Sequence, residues 1–106
     1  MTNLFSLPDP LPSTEQVDDL ITDLGVKIER IVSTGQITPK DQWYDQKRDE
    51  WVILIQGKAH LEYENGQITK LSPGDHQLIP AHKKHRVTYT SQDPPCIWLA
   101  IHGSLT

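Results

Sequence analysis

The sequence predicts an all-β domain, a sandwich or barrel of short strands. Three observations carry that expectation. Short runs rich in β-branched and aromatic residues recur from residue 26 to the end of the 106-residue chain. Asn65-Gly66 lies between two such runs and is a strong hairpin signal, because both positions tolerate φ > 0. Ser72-Pro73-Gly74-Asp75 supplies a second turn, with proline where its fixed φ is useful and glycine after it.

The elements follow in order. Residues 1–14 hold Pro8, Pro10 and Pro12, which fix φ and remove donors, so they read as an extended arm. Leu4, Phe5, Leu7 and Leu11 make the arm apolar, so it is expected to lie on its own barrel or on a neighbouring subunit. In residues 15–25, Val17, Leu20, Ile21 and Leu24 match helical spacing, with Ser13 or Thr14 as cap and Gly25 as stop. A short edge strand fits the same residues, and the helix is the first choice. The division is thus an N-terminal arm with a short helix or edge strand over 1–25, and a barrel domain over 26–106.

Within the barrel, Val26 to Ser33 is β-branched, and Trp51 to Ile55 is a continuous apolar run of strand length. Ala59, Leu61 and Tyr63 alternate with His60, Glu62 and Glu64, the pattern of a half-buried strand. Further strands are expected over 68–71, 76–79, 86–90 and 97–101. The runs at 51–55 and 97–101 are apolar on both faces. In a two-layer fold one face normally meets solvent, so something should cover the outside. That points to the arm or to a homodimer partner.

Composition excludes several classes. Net charge is −4, so no basic excess draws in nucleic acid, and Lys83-Lys84-His85-Arg86 is too short to change that. No stretch approaches the roughly 20 apolar residues of a membrane span. The N-terminal residues lack the basic start and apolar run of a signal peptide. Cys96 is the single cysteine, so no internal disulfide forms, and a cytoplasmic setting is expected. There is no Gly-rich phosphate loop, and no Ser or Cys nucleophile with an evident base.

The candidate site residues are few. Glu50 precedes the apolar run on the face of Val52 and Leu54, which puts its carboxylate at the mouth of the interior. A carboxylate there needs a charge partner or a metal. The local alternative is a solvated acid at a strand end. His82 and His85 form an H-x-x-H pair, and histidine is the commonest neutral metal ligand. A wet loop with Lys83 and Lys84 explains the pair equally well. His85 is in phase with Val87 and Tyr89. Asp45 and Gln46 offer oxygen ligands or belong to a polar turn. His102 is in phase with Trp98 and Ala100 and reads as a structural histidine near a pocket.

Taken together, these residues resemble the cupin family. Glu50 and, after six residues, Gly57 are similar to the end of the first cupin motif, where two histidines separated by one residue precede a glutamate and a glycine. Gly74 to His85 resembles the second motif: a glycine, five residues, Pro80, then a histidine five positions on. The resemblance covers about residues 26–102. It implies a cupin-type jelly-roll β-barrel holding a divalent metal through three histidines and the glutamate. This sequence departs from that pattern. The first-motif histidine positions fall on Trp43 and Asp45, or on Tyr44 and Gln46 with a spacing shorter by one. Tyr89 stands at the usual asparagine, and His82 at a usual glycine.

The implied metal site is therefore Asp45, Glu50, His85 and His82, with His82, Tyr89 or Gln46 orienting substrate or moving protons. Such an oxygen-rich set suits Fe, Mn or Mg, and Ni and Zn accept it too. The functional expectation is a small cupin binding a divalent metal and a small polar ligand, as an oxygenase, isomerase or lyase. The alternative is a non-catalytic binding or structural barrel, dimeric, whose metal site has decayed.

Overall fold

The computed structural model describes residues 3–21 and 23–106. Met1 and Thr2 of the expected arm and Thr22 of the expected 15–25 element lie outside them. The described residues form eight strands and no helix: β1 Gln16–Ile21, β2 Lys27–Ser33, β3 Asp49–Gln56, β4 Ala59–Tyr63, β5 Ile68–Leu71, β6 His76–Ile79, β7 His85–Thr90 and β8 Cys96–Gly103. One sheet has the order β1-β2-β8-β3-β6 and the other β5-β4-β7, with antiparallel neighbours throughout.

The helix expected over 15–25 is a strand instead. Gln16, Asp18 and Leu20 are half-buried while Val17, Asp19 and Ile21 are exposed, an alternation of period two. Helical spacing and alternation are hard to separate over six residues. Pairing decides: β1 runs antiparallel to β2, with Val17 opposite Ile31 and Asp18 opposite Arg30. A neighbouring sheet edge outweighs a weak local helix preference.

The core lies between the sheets. Val52, Leu54, Trp98 and Ala100 of one sheet meet Leu61, Tyr63 and Leu71 of the other. The turns behave as their chemistry requires. Gly66 holds φ +88° in the Asn65-Gly66 turn, and Tyr63 N–H donates to the Gln67 carbonyl across it. The outer face of β2 is covered by the arm. Arg30 is 2% exposed, binds Asp18 with Nε and Nη2, and donates from Nη1 to the carbonyls of Leu4 and Ser6. The outer face of β3 is less covered: Trp51 remains 38% exposed, beside Leu78 of β6 at 39%.

Strand irregularity also matters for the site. On β7, Leu61 pairs with Val87 but His60 pairs with Tyr89, so Thr88 is an extra residue. This bulge reverses the side-chain phase along the strand. His85 and Val87 turn inward. Tyr89 turns outward, where it is 43% exposed and packs on the His60 ring at 4.9 Å between centroids. The in-phase reading of Tyr89 with His85 is thereby corrected.

Candidate functional site

A cavity of about 360 Å³ opens between the two sheets. Its walls are apolar, from Ile31, Val52, Leu61, Ile79, Val87 and Trp98. The segment between β2 and β3 folds over it, contributing Gln36, Ile37, Thr38, Pro39, Tyr44 and Gln46. Thr38 pins that segment: its N–H donates to the Val87 carbonyl, and Val87 N–H donates to its hydroxyl.

The polar side of the cavity holds Glu50 and His85 with His102 and Glu29. Glu50 pairs across the sheet with His102, so both side chains share the inner face. Glu29 lies two residues from Lys27, the β2 partner of His102, and so joins that face. His102 Nε2 donates to Glu29 at 2.9 Å and lies 3.8 Å from Glu50. His85 comes from the opposite sheet, and its Nε2 lies 3.5 Å from Glu50. The two Glu50 separations exceed an ordinary N–H···O bond. The carboxylate therefore keeps acceptor capacity, although its side chain is only 9% exposed.

The tautomer and charge of His85 follow from its contacts. Its Nδ1–H donates to the Lys83 carbonyl at 2.9 Å, which leaves Nε2 facing Glu50. Burial pushes the His85 pKa down. The nearby Glu50 carboxylate and the Lys83 carbonyl outweigh that burial, so the net direction is up from 6.5. Tyr63, the β4 partner of His85, has its pKa raised by burial and then by the Glu50 charge.

The four metal ligands implied by the family resemblance do not converge. They form two separate pairs. Glu50 and His85 face the cavity, whereas Asp45 Oδ1 and His82 Nδ1 bind each other at 2.8 Å on the surface. The reason is local. Tyr44 pairs with the His85 backbone, so residues 44 and 46 point one way and residue 45 the other. Tyr44 and Gln46 thus line the cavity, in agreement with the spacing shorter by one. His82 sits at φ 64°, in the turn before β7, and its side chain is exposed. Among the described residues, no three His, Cys, Asp or Glu side chains gather as a cation site.

Gln46 brings a donor of another kind: its Oε1 is buried with no hydrogen-bond partner. Sequence reasoning placed His102 near a pocket but gave it no role, and it passed over Glu29 and Glu15. The alternation Lys27-x-Glu29-x-Ile31 was the available signal for Glu29. Glu15 lies at the mouth, where it accepts from Ser33 Oγ at 2.8 Å.

Comparison with known proteins gives a consistent picture. The cupin domain family matches residues 30–102. A crystal structure from Ralstonia eutropha JMP134, described as a candidate mannose-6-phosphate isomerase, is 40% identical, with a TM-score of 0.91 over 98% of this chain and 97% of that one. A cupin superfamily protein of Desulfitobacterium hafniense DCB-2 is 20% identical, with a TM-score of 0.74 over 87% of this chain and 79% of that one. The RCS-specific HTH-type transcriptional activator RclR of Escherichia coli (strain K12) is 38% identical over 47 residues, 44% of this chain. That match spans only 16% of the activator's length.

Proposed function

This chain belongs to the cupin-domain family, and from that membership we propose that it binds a small molecule in the cavity between its sheets, with Glu50 and His85 engaging the polar head. The observation that carries the reading is the Glu50 carboxylate, buried at the cavity wall with no nitrogen nearer than 3.5 Å. Mixed apolar walls with a few convergent polar groups are the usual make-up of a ligand site. In this reading Glu50 accepts a proton or hydrogen bond from the ligand. His85 holds a proton on Nε2, and His102 is fixed by Glu29. That places a base and an acid 3.5 Å apart at the polar side of the cavity, the equipment of a proton-shifting isomerase or lyase. Fold likeness alone assigns no reaction.

A second reading, favoured by the orphan Oε1 of Gln46, puts a divalent cation (Fe, Mn, Ni or Zn) at Glu50, His85 and Gln46. Two donors on one tetrahedral cation lie about 3.4 Å apart, close to the Glu50–His85 separation. The residues present fit a cation through these three donors, without Asp45 and His82. When bound, it would polarise a ligand oxygen or activate water.

A phosphorylated sugar, the substrate named for the Ralstonia neighbour, finds no Lys or Arg along the cavity wall to receive its phosphate. The exposed Trp51 and Leu78 support a second copy of the chain over the outer face of β3. No helix among the described residues is long and apolar enough to cross a membrane.

Metal content and native mass of the purified protein test both readings, on wild type, Glu50→Gln and His85→Ala. A retained small molecule lost in both variants supports the first. A near-stoichiometric metal lost in both supports the second. Ligand and metal content unaffected by either substitution overturns the site.

A further inference from the structure

Resting on the reading that this cavity is the ligand site, we infer that its ligand carries a protonated amine, or an equivalent donor-rich cationic head, on a compact apolar body, and no phosphate or carboxylate. Among the described residues, the cavity lining carries three carboxylates, Glu15, Glu29 and Glu50, two histidines, His85 and His102, and no Lys or Arg. Of the neighbouring cations, Arg30 and Arg86 are turned elsewhere, while Lys27 pairs with the cavity carboxylate Glu29. Arg30 is held on the outer face by Asp18 and the arm carbonyls. Lys27 lies 3.4 Å from the second oxygen of Glu29 and 3.8 Å from Asp19. Arg86 reaches Glu62 and the Thr38 carbonyl.

His102 and Lys27 occupy the two oxygens of Glu29, so the open acceptors are Glu50, Glu15 and Gln46, with His85 as the facing donor. The nearest nitrogens to Glu50 stand at 3.5 and 3.8 Å, and the buried Oε1 of Gln46 has no donor at all. An ammonium brings three donors and no acceptor, which is the complement of that wall. A phosphate or carboxylate would set acceptors and negative charge against acceptors and negative charge. This preference holds for the cavity without a divalent cation: one at Glu50 would attract a carboxylate and repel an ammonium, so binding is tested on chelator-treated protein. Val52, Leu61, Ile79 and Trp98 would hold the apolar body.

The test is a binding series of one shape and three charges: cyclohexylamine, cyclohexanol and cyclohexanecarboxylate at pH 7, with inorganic phosphate as a fourth probe. Binding is followed by amide chemical shifts of cavity residues in the purified protein. The amine is expected to bind at least about tenfold more tightly than the carboxylate, with phosphate leaving the cavity unshifted. Glu50→Gln should narrow the amine–carboxylate ratio severalfold. Glu15→Gln, at the exposed mouth, provides the same reading should Glu50→Gln fail to fold. Glu64→Gln, on the surface turn, should leave the ratio unchanged. Carboxylate binding in the cavity as tightly as the amine overturns the inference and leaves the cavity as a ligand site. Cavity amides unmoved by every probe overturn the ligand-site reading itself, and the inference with it.

Discussion

The Glu50 carboxylate and the His85 imidazole, 3.5 Å apart, join the two sheets across the cavity. Glu50 belongs to β3 of the five-stranded sheet and His85 to β7 of the three-stranded one. Each raises the demand on the other: a buried carboxylate needs a cation, and a buried imidazolium needs an anion.

That pairing sets a pH dependence in chelator-treated protein. Burial lowers the His85 pKa, but Glu50 and the Lys83 carbonyl together carry it above 6.5. A histidine with a raised folded pKa contributes stability that is fully present below its unfolded value, about 6.5. That stability is lost as pH rises through the folded value. The melting temperature should therefore fall between about pH 6 and pH 8.5, and Glu50→Gln should flatten the slope. An unchanged slope in Glu50→Gln would remove the pair as its cause.

Asp49 sets the opposite limb. Its pKa is lowered first by the Ala81 N–H, then by the Leu105 N–H and the Thr106 hydroxyl. Such a carboxylate contributes stability present above about pH 3.8 and lost as pH falls through its lower folded value. Acid unfolding should thus be shallower in Asp49→Asn than in wild type, by circular dichroism between pH 5 and pH 2. The variant should also loosen the C-terminal residues, visible as faster amide exchange at Leu105.

How much of this was legible in the sequence depended on whether local chemistry or distant pairing decided. Turns carry their own geometry, so Asn65-Gly66 and Pro73-Gly74 could be read directly. The inward direction of Glu50 could be read from its alternation with Val52 and Leu54, and that of His85 from its alternation with Val87. β1 could not be read in this way, because only its pairing with β2 separates a six-residue strand from a helical turn. The bulge at Thr88 was equally hidden: nothing in His85-Arg86-Val87-Thr88-Tyr89 marks where the phase reverses. Asp45 was chosen over Gln46 on ligand chemistry, whereas the one-residue phase of a segment outside the main strands settles which side chain enters.

Gly57 follows β3 with φ +91°, and a Cβ there would lie 2.7 Å from Ser91 Oγ and 2.9 Å from both Cα and Sγ of Cys96. Neither problem relaxes cheaply, because the Cys96 Cα is backbone. Gly57→Ala should cost roughly 2–4 kcal/mol, from a strained φ and an overpacked contact together. A urea midpoint within error of wild type would show that the turn can move.

Arg30 ties three parts of the chain together at 2% exposure. Arg30→Met keeps much of the apolar stem but leaves Asp18 and the carbonyls of Leu4 and Ser6 without their donors. A loss of about 2–4 kcal/mol is expected, since removing one partner strands the others. The arm should also become accessible, so limited proteolysis should cut near residues 4–7 first. Cleavage elsewhere at the wild-type rate would mean the arm is held by its apolar residues alone.

Asp45 and Gln46 separate the two possible donor sets in one experiment. Asp45 binds His82 outside the cavity, whereas Gln46 lines it and has a buried, unpartnered Oε1. If a divalent cation binds, Gln46→Leu removes one of three donors and should lower its affinity by roughly tenfold or more. Asp45→Asn should change it by less than about twofold, because its carboxylate faces away. Competition with a fluorescent zinc chelator reads both affinities, and melting curves show whether either variant is disrupted. The reverse order, Asp45 sensitive and Gln46 tolerant, would require the 44–46 segment to rotate by one residue. The backbone pairing of Tyr44 with His85 would then have to break.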